Sequence, residues 1–114
     1  MNKYFSRSEF KCPCCDFAAV DYELLELLSV IRTTLDEPVI INSACRCEAH
    51  NERVGGAKGS YHKKGMAADI RCKAATPEHI YRLATALAPE DKYGVIKYEG
   101  FVHIDVREKA YRKG

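Results

Sequence analysis

Hydrophobic residues in the first third of the chain recur at the spacing of one helical face. They stand at steps of four, three and four residues, at Leu24, Leu28, Ile31 and Leu35. Asp21 precedes them as a suitable N-cap, and Pro38 bounds the segment at its far end. The pattern predicts an amphipathic helix that begins after Asp21 and ends before Pro38.

A second helix is predicted between two prolines. Thr76 is a suitable N-cap, Pro77 suits the first helical turn, and Pro89 follows the end. The predicted core face of this helix consists of Ile80, Leu83 and Leu87.

Four segments predict strands. The β-branched residues 39–41 indicate a short buried strand, and residues 66–71 indicate another that follows a glycine. Residues 95–98 and 101–106 predict a hairpin whose two-residue turn is Glu99 and Gly100. Helices mixed with an antiparallel hairpin indicate the α+β class, with an antiparallel sheet and flanking helices.

Two segments predict irregular structure. Residues 47–56 are polar and end in two glycines, which is typical of a loop with room for one helical turn. Residues 109–114 form a basic tail that we expect to be solvated and partly frayed.

Composition narrows the class of protein. The chain has 114 residues, of which 46% are hydrophobic and 30% charged, with a formal net charge of +2. This is typical of a globular protein, and the length predicts a single domain over residues 1–114. The small net charge disfavours binding to nucleic acid, and no run of about 18 apolar residues predicts a membrane span. The first residues lack the apolar segment of a secretory signal, so we expect synthesis in the cytoplasm.

The last predicted strand places two chemically active side chains together. Side chains alternate between the faces of a strand, so Val102, Ile104 and Val106 should point into the core. His103 and Asp105 should then share the opposite face. A histidine and a carboxylate on a rigid wall indicate a candidate site, although polar residues are also common on the wet face of a strand.

Residues 60–70 carry a second set of candidate groups. Asp69 stands in an otherwise apolar strand, where an unpaired buried charge would be costly. Its partner is either a nearby Lys or Arg or a metal ion. Two histidines and one aspartate are sufficient for a catalytic zinc site that keeps a fourth position open.

Three blocks of the sequence together resemble a known family. They are residues 43–57, with Ser-Ala-Cys-Arg-Cys, residues 60–70, with Ser-Tyr-His and Ala-Asp-Ile, and residues 101–106, Phe-Val-His-Ile-Asp-Val. The blocks resemble the zinc D-alanyl-D-alanine carboxypeptidases of the LAS-type peptidoglycan metallopeptidases. That group includes phage endopeptidases and is similar in fold to the hedgehog signalling domain. The resemblance implies one catalytic zinc ion bound by His62, Asp69 and His103.

The resemblance also implies roles for two further residues. Arg46 matches the family arginine that holds a substrate carboxylate or polarises the scissile carbonyl, which suits a permanently charged, bidentate guanidinium. Ser60 is expected to support the zinc ligands by hydrogen bonding and to lie on the substrate side of the site.

This chain differs from its relatives in the residue that would act as the catalytic acid or base. Relatives often carry a Glu or His two residues before the last zinc histidine, where this chain has Phe101. Asp105, about 7 Å along the strand from His103, is the preferred catalytic carboxylate. Glu99, about 13 Å away along the strand, is the other candidate. Asp105 could instead orient a ligand histidine, as carboxylates commonly do at zinc sites.

The six cysteines allow three interpretations. Four of the five thiols at Cys12, Cys14, Cys15, Cys45 and Cys47 could bind a structural zinc ion. The irregular spacing and the leftover Cys72 disfavour that second zinc. Disulfides between the N-terminal cysteines and Cys45 or Cys47, or simple free thiols, are the alternatives.

The resemblance implies a zinc metallopeptidase that cleaves D-amino-acid-containing peptides of bacterial peptidoglycan, as a carboxypeptidase or an endopeptidase. The expected partners are peptidoglycan stem peptides. We expect the protein to act as a monomer at the bacterial cell wall, and the resemblance is compatible with a phage origin. No nucleic acid or membrane partner is expected. The alternative is a non-catalytic, metal-bearing cell-wall-binding or phage structural domain of the same fold. A cysteine-bound zinc module for nucleic acid is disfavoured by the small net charge.

Overall fold

The computed structural model of the chain describes residues 2–15, 18–56 and 59–114. Within these residues, three α-helices and two short 3₁₀ helices accompany five strands. The helices are α1 (Tyr22–Leu35), α2 (Glu48–Arg53) and α3 (Pro77–Leu87), and the 3₁₀ helices are η1 (Arg7–Phe10) and η2 (Tyr61–Lys64). The strands are β1 (Ile40–Ser43), β2 (Ala67–Arg71), β3 (Gly94–Lys97), β4 (Val102–Asp105) and β5 (Tyr111–Lys113). The α+β class is confirmed.

The strands form one sheet in the order β1-β2-β4-β3-β5. The pairs β1–β2, β2–β4 and β4–β3 are antiparallel, and β3 and β4 form the predicted hairpin. The fifth strand pairs with β3 in parallel, so the sheet is mixed at one edge. The prediction of a frayed basic tail is wrong, because backbone groups of the tail pair with the open edge of β3. A charge pattern cannot reveal such pairing.

Helix α1 begins and ends where its sequence predicts. The Asp21 carboxylate accepts a hydrogen bond of 2.8 Å from the backbone N–H of Glu23, and the helix ends at a left-handed Asp36. Leu24, Leu28 and Ile31 are buried in the hydrophobic core.

Helix α3 has the predicted start but a different core face. The Thr76 hydroxyl accepts a hydrogen bond of 3.1 Å from the backbone N–H of His79, as expected of an N-cap. Ile80 and Ala84 are buried, whereas Leu87 is 37% exposed. The prediction of Leu87 as a core residue is therefore wrong. The buried positions are four residues apart, at Ile80, Ala84 and Ala88, and Leu87 lies beside this row.

The core lies on one face of the sheet, and α1 and α3 cover it. Val102, Ile104 and Val106 are buried in this core, as the alternation of β4 predicts. Strand β1 is at an edge, so Ile40 and Ile41 are only partly buried, which corrects the prediction of a buried strand there. The opposite face of β2 and β4 is left for polar side chains.

The polar segment 47–56 contains the short helix α2, whose N-cap is Cys47. Among residues 2–15, 18–56 and 59–114, no helix is both long enough and apolar enough to cross a membrane.

Candidate active site

The register of β2 and β4 brings the candidate residues into contact. Asp69 stands directly opposite His103, and Ala67 stands opposite Asp105. Directly opposed residues on antiparallel strands have Cβ atoms about 5 Å apart, which is close enough for a side-chain hydrogen bond. The sheet therefore holds an aspartate and a histidine from distant parts of the sequence in a rigid pair.

His62 reaches the same point from the 3₁₀ helix η2. The hydroxyl of Ser60 accepts a hydrogen bond of 3.2 Å from the backbone N–H of His62 and so caps this turn. The His62 Nδ1 atom lies 2.6 Å from the carbonyl oxygen of Ala44. A carbonyl can only accept, so Nδ1 carries a hydrogen, and Nε2 is the ring nitrogen that faces Asp69, whose Oδ1 is 3.3 Å away.

His103 is held between two carboxylates. Its Nδ1 lies 2.9 Å from Oδ1 of Asp69, and its Nε2 lies 2.8 Å from Oδ2 of Asp105. With Nε2–H donating to Asp105, Nδ1 is the nitrogen left for a metal ion. The two histidines thus offer different ring nitrogens to one point.

The donor set fits a zinc ion. The ligand atoms of His62, Asp69 and His103 lie within 4.8 Å of one another. Zinc binds nitrogen and oxygen at about 2.0–2.2 Å, so three ligands that share one ion lie roughly 3–3.5 Å apart. Two histidines and one carboxylate are a typical catalytic set that leaves the fourth position open. These three residues could therefore hold the metal that the sequence predicts.

The charges around His103 favour a cation at this position. Burial alone would raise the pKa of Asp69, but the rings of His103 and His62 outweigh it and lower that pKa to about 2. Burial alone would lower the pKa of His103, but Asp105 and Asp69 raise it to about 9. In the metal-free site a positive charge on His103 therefore balances the two carboxylates. A divalent ion bound there would supply this positive charge instead.

Asp105 is fully buried, and its contacts account for both of its oxygens. The guanidinium of Arg107 donates to Oδ1 from Nε at 2.7 Å and to Oδ2 from Nη2 at 2.6 Å. Burial would raise the pKa of Asp105, but Arg107 and His103 hold it well below its usual range. A carboxylate with so low a pKa is a weak base near neutral pH. The geometry favours the second role considered for Asp105, the orientation of His103.

Space for this buried ion pair comes from a neighbouring glycine. Gly94 of β3 stands opposite Asp105, and a Cβ atom there would lie 2.6 Å from the Asp105 carboxylate and 2.7 Å from Nε of Arg107. Arg107 also packs over the ring of Tyr61, with 4.9 Å between the guanidinium carbon and the ring centre. The pair is thus enclosed by β3 and by η2.

Arg46 lies at the edge of the same cluster. Its Nη2 is 3.7 Å from Oδ2 of Asp69, and its Nη1 donates to Oδ1 of the buried Asn51 at 3.3 Å. Its backbone N–H donates to the carbonyl of His62 at 3.0 Å, which ties the arginine loop to η2. A cavity of about 400 Å³ opens beside it, lined by Arg46, Cys47, Glu48 and Lys63. The guanidinium is therefore held between the metal ligands and an open recess.

The remaining predicted residues lie further from the centre. Glu99 is exposed in the turn between β3 and β4, next to the stacked rings of Tyr98 and Phe101. Ser60 contacts the backbone of His62, which agrees with a supporting role, and its part in substrate binding stays a prediction.

The model of the peptidase M15 family matches residues 3–105. The chain belongs to the peptidase M15 family. No curated protein matches the chain. Membership of the M15 family makes the protein a metallopeptidase, which is a hydrolase, and the family depends on zinc. This agrees with the resemblance found in its sequence.

One important residue of this M15 peptidase was missed in the sequence. Arg107 binds the carboxylate of Asp105, yet no role was predicted for it. The signal was present, because Arg107 follows Asp105 by two residues and strand alternation puts both on one face. The carbonyl of Ala44, which orients His62, carries no side-chain signal and could not be found in this way.

Proposed function

We propose that this M15 peptidase is a zinc-dependent enzyme that cleaves D-amino-acid-containing peptides of bacterial peptidoglycan, as a carboxypeptidase or an endopeptidase. The observation that carries the proposal is the convergence of His62, Asp69 and His103 beside Arg46. We also propose that it acts at the cell wall on peptidoglycan stem peptides. The resemblance of its three sequence blocks to enzymes that act on peptidoglycan supports this choice of substrate.

His62, Asp69 and His103 would hold the metal. A zinc ion bound there would supply a nucleophile at neutral pH, by lowering the pKa of bound water, and would polarise the scissile carbonyl. The chain orients both histidines through their second ring nitrogens, on Ala44 and Asp105. Such contacts fix the ring orientation and increase the basicity of the ligand nitrogen.

Arg46 would bind the substrate. Its guanidinium keeps its charge at all working pH values and can hold a carboxylate with two parallel hydrogen bonds. The recess that it shares with Lys63 has room for a peptide end. A terminal carboxylate held there would place the adjacent peptide bond near the metal ligands, as a carboxypeptidase requires.

The protein's own residues move the proton in this proposal. Asp105 keeps His103 in place and stays ionised, so it serves as a positioning residue. Of the two carboxylates considered, Glu99, in the turn between β3 and β4, then remains as the candidate for proton transfer. Substitution of the two carboxylates, described in the Discussion, separates these roles.

The test is hydrolysis of purified peptidoglycan and of synthetic stem peptides, with products identified by mass spectrometry. We expect cleavage that a chelator abolishes and zinc restores. The cleaved bond distinguishes a carboxypeptidase from an endopeptidase. If the zinc-loaded protein binds cell wall but releases no product from any of these substrates, the non-catalytic binding domain is the better description.

A further inference from the structure

Four cysteines converge at the N-terminal end of α2 and form a group separate from the His/Asp site. We call Cys12, Cys14, Cys15 and Cys47 the cysteine cluster. Their four sulfur atoms lie within 4.8 Å of one another. None of the six cysteines, all of which lie in the described part of the chain, takes part in a disulfide.

The chain is folded so that two distant segments meet at this cluster. The backbone N–H of Cys15 donates to the carbonyl of Cys12 at 3.3 Å, which closes a tight turn. The backbone N–H of Cys45 donates to the carbonyl of Phe10 at 3.0 Å, which holds the two segments side by side. Cys47 then projects toward the turn from the N-cap of α2.

The sulfur separations suit a shared metal ion better than a disulfide. The Cys12–Cys14, Cys12–Cys47 and Cys14–Cys47 sulfur pairs are 3.4, 3.6 and 3.3 Å apart. A disulfide needs about 2.05 Å. Four sulfurs at about 2.3 Å from one tetrahedral zinc ion lie about 3.8 Å apart. Three sulfurs at nearly equal distances, with a fourth beside them, approach this arrangement.

The structure also removes the two objections raised by the sequence. Cys45 is fully buried outside the cluster, and Cys72 lies beyond the end of β2. The spacing looks irregular in sequence because three of the cysteines lie on one turn and the fourth lies at the N-cap of a helix. The spacing left open which four thiols lie together, and the course of the chain decides this.

We propose that the cysteine cluster binds a structural zinc ion. Binding converts four thiols to thiolates, so four protons pass to solvent as the four zinc–sulfur bonds form. The ion would join residues 12–15 to the loop that carries Arg46, the residue before Cys47. It would therefore stabilise the loop that positions Arg46, beside the recess that Cys47 helps to line.

The first experiment counts metal in the full chain, purified with zinc under reducing conditions. We expect about two zinc ions per chain in the wild type and about one in His62→Ala. Cys14→Ser should also hold about one, because it removes one of the four thiols. Cys14 is exposed, so its replacement opens no cavity and should leave the fold intact. Cys72→Ser, outside the cluster, is the matched control and should keep both ions. A wild type with one ion, absent from Cys14→Ser, would support the cysteine site and count against the proposed catalytic metal.

The second experiment replaces zinc by cobalt in His62→Ala, where only the cysteine cluster would bind. We expect intense sulfur-to-cobalt charge-transfer absorption, which His62→Ala/Cys14→Ser should lack. The absorption of His62→Ala by itself reports sulfur ligands, so it decides the question even if the variants with Cys14→Ser fail to fold. The proposal is overturned if His62→Ala binds no metal and shows no such absorption, or if a disulfide within the cluster persists under these conditions.

Discussion

The Nε2 atom of His103 lies 2.8 Å from Oδ2 of Asp105, a carboxylate with no exposed surface. Arg107 occupies both oxygens of the same carboxylate from its other side. This geometry makes Asp105 a support for a metal ligand, and it leads to the first prediction.

Asp105→Asn should weaken metal binding at the His/Asp site. Loss of a carboxylate that orients a ligand histidine typically costs 10–100-fold in metal affinity or activity, so we expect about that loss in zinc affinity. Zinc titration with a competing chelator measures it. Glu99→Gln, in the exposed turn, is the control and should keep full affinity.

A different result would change the assignment of the proton acceptor. If Asp105→Asn kept its zinc affinity but lost about 10²–10⁴-fold in kcat, Asp105 would be the general base. If Glu99→Gln showed that loss instead, Glu99 would have that role.

Removal of a predicted metal ligand should remove one metal ion. His62→Ala, Asp69→Ala and His103→Ala should each lose the ion of the His/Asp site, because two remaining ligands bind zinc far more weakly than three. Metal analysis by mass spectrometry checks this. His79→Ala, an exposed histidine on α3, should retain the wild-type metal content. Unchanged metal in His103→Ala would remove this residue from the ligand set.

Arg46→Ala should reduce turnover without loss of metal. Its guanidinium contacts Asp69 only at 3.7 Å and borders the open recess, so its removal leaves the ligands in place. Arg46→Lys should rescue only in part, because an ammonium lacks the planar fork. Steady-state kinetics and metal content are the measurements, with the exposed Arg82→Ala as control. An alanine variant with wild-type kcat/KM would exclude Arg46 from substrate binding.

Gly65→Ala should destabilise the protein and Gly100→Ala should not. Gly65 follows the His62 turn with φ of +69°, and a Cβ atom there would lie 2.3 Å from the carbonyl oxygen of Ala19. We expect a loss of about 1–3 kcal/mol in the free energy of unfolding. At Gly100 no described atom would lie within 4 Å of a Cβ, so a change within about 0.5 kcal/mol is expected. Urea unfolding compares the two, and equal stabilities would contradict the prediction.

Stability at high pH should depend on Tyr93. Its hydroxyl donates to Glu23 at 2.9 Å, and burial together with Glu23 raises the pKa of Tyr93 from 10.0 to about 12. The folded state thus favours the neutral phenol, so its contribution is complete below pH 10 and is lost as the pH rises through about 12.

Tyr93→Phe should therefore cost about 1 kcal/mol near pH 8, and the difference from wild type should shrink above pH 10. Urea unfolding at several pH values measures this difference. Tyr22→Phe, at an exposed position, should match wild type throughout. A constant difference between wild type and Tyr93→Phe up to pH 11 would contradict the link to ionisation.

Local features of this protein could be predicted from the sequence because they depend on neighbouring residues. The N-cap at Asp21, the hairpin turn at Glu99 and the shared face of His103 and Asp105 follow from capping preference, turn chemistry and strand alternation. The three metal-ligand candidates were also found, although the resemblance to a family was needed to bring His62 and Asp69 to His103.

Long-range relationships were decided only by the tertiary structure. Asp69 meets His103 because β2 pairs with β4 in one particular register, and a shift of one residue would turn Asp69 to the other face. The meeting of Cys47 with Cys12 depends on the path of the chain between them, as does the pairing of β5 with β3. Such contacts join residues far apart in sequence, and the local preferences of either segment contain no information about where the other will lie.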